Sequence, residues 1–324
     1  MTKIIVELCQ NHLGKREILG RMIKEAATAG ADYVKGQIIF SEDLTFRERF
    51  EDGCITNDGV IKTIKRPYQA EYDRLKGLDL TEDDYKWFVD ESMKNNVVPL
   101  VTIFSRNRIE FASKLPWPEK IVKVASYDCA SYAMIRELCD VFDHLIVSVG
   151  ATYDEEIATT VQIVKNKGKK ITLLHCVTCY PNSLDMCNLA RMSWLKKLSE
   201  FVGWSDHTNV EGDGLKAAKV ASLLGADLIE RHFTILASNE TKDGPISINP
   251  KHLRELKDFF TLTIEEQRQI LEKEITDWGE IIGTNQLKPT YQEMLNRDYY
   301  CGRFAYKLGA DWINNWDERE LKKY

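Results

Sequence analysis

Ala221-Ser222-Leu223-Leu224-Gly225-Ala226-Asp227-Leu228-Ile229-Glu230-Arg231-His232 decides how this chain is read. Small and apolar residues run up to Gly225, a natural helix stop, and a strand-like apolar run follows at once and ends on charged groups. The same design occurs much earlier, in Ala26-Ala27-Thr28-Ala29-Gly30-Ala31-Asp32-Tyr33-Val34-Lys35-Gly36-Gln37. Aligning the two stretches sets Gln37 and His232 at equal height, at the outlets of their strands. A further outlet is Gly203-Trp204-Ser205-Asp206-His207-Thr208, again an apolar run that ends in polar groups. Helix, glycine and buried strand in succession form a βα unit, and the chain repeats it.

Outward from these stretches, short β-branched runs alternate with longer amphipathic ones. The predicted strands cover 3–8, 32–38, 98–103, 120–125, 144–149, 171–176, 201–204 and 227–232. They are nearly continuously apolar, as parallel strands covered on both faces must be. The predicted helices cover 15–28, 82–95, 106–114, 131–140, 153–166, 186–199 and 212–224, with one long helix over 250–275. Thr81 and Asn249-Pro250 supply helix starts. Eight such units predict an α/β chain folded as a closed (β/α)8 TIM barrel over residues 1–285, with a short C-terminal extension over 286–324. An open doubly wound sheet is the competing architecture, but no glycine-rich dinucleotide fingerprint follows the first strand. The charged 39–80 stretch is long for a βα loop and reads as a lid or excursion.

Composition narrows the function. A formal net charge of -6 argues against a nucleic-acid binder, and no apolar run approaches the ~20 residues of a membrane helix. The strand that starts at residue 3 leaves no room for a signal peptide, which predicts a cytoplasmic protein. Eight cysteines are scattered, and Cys176 with Cys179 is the single CxxC pair, so reduced thiols are expected.

In a barrel of this type the C-terminal ends of the strands carry the chemistry. Those ends hold Glu7, Asn11, His12, Lys35, Gln37, Thr102, Lys123, Ser126, Asp128, Ser148, Thr178, Tyr180, Ser205, Asp206, His207, Glu230 and His232. Neutral imidazoles converging from His207 and His232 suit a borderline divalent metal. A lysine inside an apolar strand is costly unless it meets an anion, so Lys35 and Lys123 beside Ser126, Ser148 and Ser205 read as a cradle for phosphate and carboxylate. Glu7 is a candidate acid, base or hydroxyl-orienting group.

The motifs Glu7-Leu8-Cys9-Gln10-Asn11-His12-Leu13-Gly14, Gly30 to Gln37, Lys123-Val124-Ala125-Ser126, Ser148-Val149-Gly150, Leu174-His175-Cys176 with Tyr180-Pro181, Gly203 to Thr208, and Glu230-Arg231-His232-Phe233-Thr234 follow in order. Together they resemble the sialic acid synthase family. The resemblance implies condensation of phosphoenolpyruvate with the open-chain aldehyde of an N-acylmannosamine-type or atypical sugar, giving a 2-keto-3-deoxy sugar acid and phosphate. It implies Mn²⁺, with Mg²⁺ or Co²⁺ as substitutes, on His207 and His232. Lys35, Lys123, Ser126, Ser148 and Ser205 would then hold phosphoenolpyruvate, with Gln37 beside them. Glu7 would contact the sugar at the reacting centre, and Asp128 and Tyr180 would line the same pocket.

Three departures accompany the resemblance. The family carries Gly-Pro-Asp after the eighth strand, whereas Gly244-Pro245 here precedes Ile246, leaving Asp243 as the substitute sugar contact. Thr178 stands where the family often has asparagine. The 286–324 extension is too short for the family's antifreeze-like domain, which helps build the family's dimer, so any homodimer expected here would join barrel to barrel. Trp312, Trp316 and Tyr324 are candidates for packing on a neighbour. Two rival readings stay open: a Schiff-base aldolase on Lys35 or Lys123, and a non-catalytic sugar-binding barrel.

Overall fold

The computed structural model describes residues 1–276, 278–285 and 288–318. Eight parallel strands close into one barrel, β1 (Lys3–Glu7), β2 (Tyr33–Ile38), β3 (Val98–Ile103), β4 (Ile121–Val124), β5 (His144–Ser148), β6 (Lys170–Cys176), β7 (Phe201–Asp206) and β8 (Leu228–His232). Each strand pairs with its neighbours in the chain, and β8 returns to pair with β1.

Side chains alternate along a strand, and residues paired across a parallel ladder face the same side. Ile5, Leu100, Ile121, Ile146, Leu174 and Leu228 pack inside the barrel, with Tyr33 against them. The opposite faces of the strands, including Val34, Val101, Val122 and Trp204, pack with the surrounding helices into a second, larger core. Two residues further along each strand the inward set changes character, to Glu7, Lys35, Thr102, Lys123, Ser148, Cys176, Ser205 and Glu230. The barrel is therefore plugged by an apolar layer and topped by a polar one. Gly203 permits the closest strand approach, because a Cβ there would collide with the carbonyl oxygen of Leu228.

The layers keep the height drawn from the repeated stretches. Lys35 and Glu230 share the polar layer, so Gln37 and His232 each stand one inward position beyond it, while the ladder pairs Glu7 with both Lys35 and His232 because strands of a closed barrel are staggered. Several helices are shorter than expected. The 250–275 segment splits into Pro250–Thr261 and Ile264–Glu274, because the Thr263 hydroxyl caps the Glu266 amide and the Glu266 carboxylate bonds the Thr263 amide. Gly214, at φ 63°, divides 212–224 into the end of Val210–Asp213 and the helix Lys216–Leu223. The 186–199 segment keeps only Arg191–Leu195 as α-helix, and 106–114 opens as a 3-10 turn before Ile109–Ser113.

The 39–80 excursion is ordered, with a hairpin of Cys54–Ile55 against Ile61–Thr63 and a helix Tyr68–Lys76. It meets the C-terminal segment, a helix Tyr291–Tyr300 followed by a hairpin of Ala305–Leu308 and Asp311–Asn314. Arg47 donates to the Tyr299 carbonyl at 2.6 Å, and the Thr45 amide donates to the Arg303 carbonyl at 3.0 Å. The Arg297 guanidinium lies 5.2 Å from the Trp316 ring, so Trp316 packs within the chain while Trp312 is exposed. Tyr324 lies outside the described residues. No helix among the described residues is long and apolar enough to cross a membrane.

Candidate active site

The polar layer forms the floor of a cavity of about 460 Å³ at the C-terminal mouth of the barrel. Its lining brings six cationic side chains (Lys35, Lys123, Arg66, Arg74, Lys242 and Arg303) against three carboxylates (Glu7, Glu230 and Asp243). The cavity is thus locally cationic in an anionic chain, which favours a multiply charged anion.

At the floor, Lys123 Nζ donates to Ser148 Oγ at 2.7 Å and to the Val124 carbonyl at 3.0 Å. Lys35 donates to Thr102 Oγ1 at 2.9 Å and forms an ion pair with Glu7. Glu230 sits 3.7 Å from each lysine and accepts from Ser205 Oγ at 3.0 Å. Burial, together with repulsion from Lys123, pushes Lys35 down to about 7 against the attraction of Glu230. Burial would raise Glu230, but Lys123, Lys35 and the Ser205 hydroxyl outweigh it and hold the carboxyl at about 2. Glu230 is therefore a counter-ion shared by both lysines, and Glu7 is the closer one for Lys35. Ser126 Oγ accepts from the Gly150 amide at 3.1 Å, and a Cβ at Gly150 would sit 2.6 Å from Thr178 Cγ2.

His207 and His232 face one another across one wall, ring centroids 5.3 Å apart, with Tyr180 at 4.1 Å from His207. His207 Nδ1 lies 3.0 Å from the Val177 carbonyl, which can only accept, so Nδ1 carries the proton and Nε2 is a free acceptor. Burial, and then the neighbouring His232, pushes His207 down to about 3. His232 Nδ1 is buried without a hydrogen-bond partner and stands 3.7 Å from Asp243 Oδ2. Two neutral imidazoles, one with an orphaned nitrogen beside a carboxylate, fit a divalent cation.

Of the expected site residues, Glu7, Lys35, Gln37, Lys123, Ser126, Ser148, Tyr180, Ser205, His207, His232 and Asp243 line this cavity. Asp128 and Thr178 do not. The Ser126–Asp128 turn swings the Asp128 carboxylate to Asn315, whose Nδ2 donates to it at 3.0 Å, and burial raises that carboxyl to about 7. Thr178 is drawn to Glu293, which accepts from its amide at 3.0 Å and its hydroxyl at 3.3 Å. Asn11 and His12 are likewise structural. Asn11 Nδ2 donates to the Phe233 carbonyl at 2.8 Å, and His12 Nδ1 accepts from the Gly14 amide at 3.0 Å. Ile246, at 2% exposed, belongs to the core.

The outer rim holds residues that strand ends do not announce. Arg74 and Arg303 both pair with Glu71, and Arg74 also donates to Gln10 Oε1 at 2.9 Å. Gln292, Asn296 and Tyr300 reach the cavity from the C-terminal helix, and Tyr300 stacks on Tyr127 at 4.6 Å.

A barrel with two buried lysines, their shared carboxylate and two facing imidazoles at its mouth can be compared with known proteins. The NeuB family model matches residues 22–270. The chain belongs to the NeuB family. An N,N'-diacetyllegionaminic acid synthase of Campylobacter jejuni is 30% identical over 267 residues, covering 79% of this chain and 74% of that protein. An N-acetylneuraminate-9-phosphate synthase of Drosophila melanogaster is 28% identical, covering 78% of this chain and 65% of its own length. The crystal structure of a sialic acid synthetase from Leptospira borgpetersenii, in complex with citrate, superposes with a TM-score of 0.67 at 28% identity, over 92% of this chain and 90% of that one. This NeuB chain is thus similar to synthases of legionaminic acid, N-acetylneuraminate 9-phosphate and sialic acid.

Proposed function

We propose that this NeuB-family chain condenses phosphoenolpyruvate with the open-chain aldehyde of an N-acylated amino sugar or a related aldose, giving a nonulosonic-type 2-keto-3-deoxy sugar acid and phosphate. The carrying observation is the polar top layer, in which two buried lysines share one carboxylate beside hydroxyl donors. Phosphoenolpyruvate would exchange the Glu230 and Glu7 contacts of Lys35 and Lys123 for its own phosphate and carboxylate, with Ser126, Ser148 and Ser205 alongside. C3 of phosphoenolpyruvate then attacks the aldehyde carbon, water adds at the electron-deficient C2, and the tetrahedral centre expels phosphate. Glu7, anchored by the Cys9 amide at 2.5 Å, stands beside the reacting centre and orients the sugar hydroxyl. His207 and His232 would hold a divalent cation, Mn²⁺ first, which supplies Lewis-acid polarisation of the aldehyde oxygen. The fixed cations are in place before charge moves, which lowers the reorganisation needed in the transition state. All eight cysteines are free, which supports a cytoplasmic site of action.

A Schiff-base aldolase has one observation in its favour, the depressed pKa of Lys35 at about 7. Its Nζ is committed to Glu7 and Thr102, and that reading gives the two histidines no task. The deciding experiment incubates the protein with phosphoenolpyruvate, Mn²⁺ and aldose acceptors, with and without chelator and borohydride. Acceptor-dependent phosphate release that chelator abolishes supports the synthase. A borohydride-trapped covalent adduct without phosphate release would replace it with the aldolase.

A further inference from the structure

Cys9 lies two residues past the end of β1 and adopts φ 38°, a left-handed conformation that a cysteine side chain does nothing locally to stabilise. Glu7 accepts the Cys9 amide and fixes this turn. The turn aims a buried thiol at the wall that carries His232 and Asp243. One ligand atom from each of Cys9, His232 and Asp243 lies within 4.8 Å of the others. His232 is 93% buried, its Nδ1 has no hydrogen-bond partner, and the nearest carboxylate oxygen, on Asp243, is 3.7 Å away, beyond hydrogen-bond range. Donor atoms that share one zinc-sized cation stand roughly 3–4 Å apart, given bonds of about 2.0–2.3 Å, so small rotations would bring this set onto a common ion.

We infer that the thiol of Cys9 and the carboxylate of Asp243 are metal ligands together with His232, and that this thiolate-containing set prefers Zn²⁺, Fe²⁺ or Co²⁺ over Mn²⁺. The inference rests on the reading that the site takes a divalent cation, and it changes which atoms hold the ion and which ion is held. Thiolate sulfur is a soft donor, and affinity at such a site rises from manganese toward cobalt and zinc. Ligation requires the deprotonated thiol, so loading the site releases a proton to solvent. Asp243, reached from the sequence as a sugar contact, becomes a ligand whose position beside the cavity is explained by the ion it shares with His232.

The test loads chelator-stripped protein with Co²⁺ and, separately, titrates Zn²⁺ and Mn²⁺ by calorimetry. The expected Co²⁺ complex shows a near-ultraviolet thiolate-to-cobalt charge-transfer band, lost in Cys9→Ser and retained in Cys176→Ala. Cys176 is the informative control, because its Sγ lies 3.8 Å from His207 Nδ1. Cys9→Ser should weaken Zn²⁺ binding by at least about tenfold while changing Mn²⁺ binding far less. Its far-ultraviolet circular dichroism and thermal midpoint establish that the fold persists. Asp243→Asn should weaken both metals. Tight Co²⁺ binding without the band, or a band that survives Cys9→Ser, would overturn the thiolate assignment and leave the divalent-cation reading standing. Failure of all three metals to bind would overturn that reading as well.

Discussion

Replacing Lys123 by methionine isolates the charge of the cradle, since the longer part of the side chain and its packing survive. Lys123 is buried, with its Nζ 2.7 Å from Ser148 Oγ and 3.7 Å from Glu230. At 3.7 Å and an effective dielectric near 20, the attraction to Glu230 is about 4 kcal/mol, much of it offset by the cost of burying both charges. Lys123→Met should destabilise the free protein by about 3 kcal/mol, the lower end for removing one partner of a buried pair, because Lys35 still faces Glu230. It should also move its acid unfolding upward in pH. Glu230, held at about 2, contributes stability above its unfolded pKa near 4.5 that is lost as pH falls through 2. Without Lys123 its folded pKa rises, and that stabilising window closes. Phosphoenolpyruvate loses one buried charge-assisted hydrogen bond, about 2 kcal/mol, or roughly thirtyfold in affinity. The assay pairs calorimetric binding of phosphoenolpyruvate alone with steady-state KM values for both substrates. The KM for phosphoenolpyruvate should rise at least tenfold while the acceptor KM changes less than about threefold. An unchanged phosphoenolpyruvate affinity in a folded variant would refute the cradle.

Three further outcomes follow from the same geometry. Asp128, raised to about 7 by burial, costs the fold stability as pH rises from about 4, where the unfolded chain ionises first, and the loss is complete above 7. Asp128→Asn should raise the thermal midpoint at pH 8 by a few degrees and leave it unchanged at pH 4; equal shifts at both would contradict the burial argument. Gly150→Ala places a Cβ 2.6 Å from Thr178 Cγ2 and 2.9 Å from the Cys176 carbonyl, so denaturant unfolding should show a loss of about 1–3 kcal/mol; a neutral effect would mean the turn yields freely. Glu293→Ala strips the carboxylate that accepts the Thr178 and Thr290 amides, at 3.0 and 2.9 Å. It should cost about 2 kcal/mol and raise the acceptor KM more than that for phosphoenolpyruvate, because the Tyr291–Tyr300 helix covers the outer cavity.

The barrel was legible because its strands obey local rules. Glycine-terminated helices, apolar runs and polar strand ends repeat within short windows, which marked Lys35, Lys123, Ser148 and Glu230 as strand-end residues; their inward alternation into one layer came with the structure. Helix breaks were legible in principle, since Thr263 followed by Glu266 is a capping box that the continuous apolar pattern of 250–275 overrode. What local pattern does not carry is long-range contact. Glu293 reaches Thr178 across 115 positions and Asn315 reaches Asp128 across 187, so two strand-end residues turn from the cavity to the C-terminal segment. Arg303 joins the rim by meeting Glu71 across 232 positions, beside Arg74 three residues further along the helix of Glu71. Cys9 gave no sequence signal as a site residue; its φ of 38° and its closeness to His232 and Asp243 appear only in three dimensions.

The central claim is that the polar mouth of this barrel joins the three carbons of phosphoenolpyruvate to an aldose. Mass spectrometry and phosphate determination on one reaction test it most directly, using phosphoenolpyruvate, a divalent metal and a panel of N-acetylmannosamine, its 2,4-diamino-6-deoxy analogues and unsubstituted aldoses. The account predicts, for at least one acceptor, a product with the mass of acceptor plus pyruvate and one phosphate released per product formed. Phosphate released without that product, or a protein that binds no phosphoenolpyruvate, would contradict it.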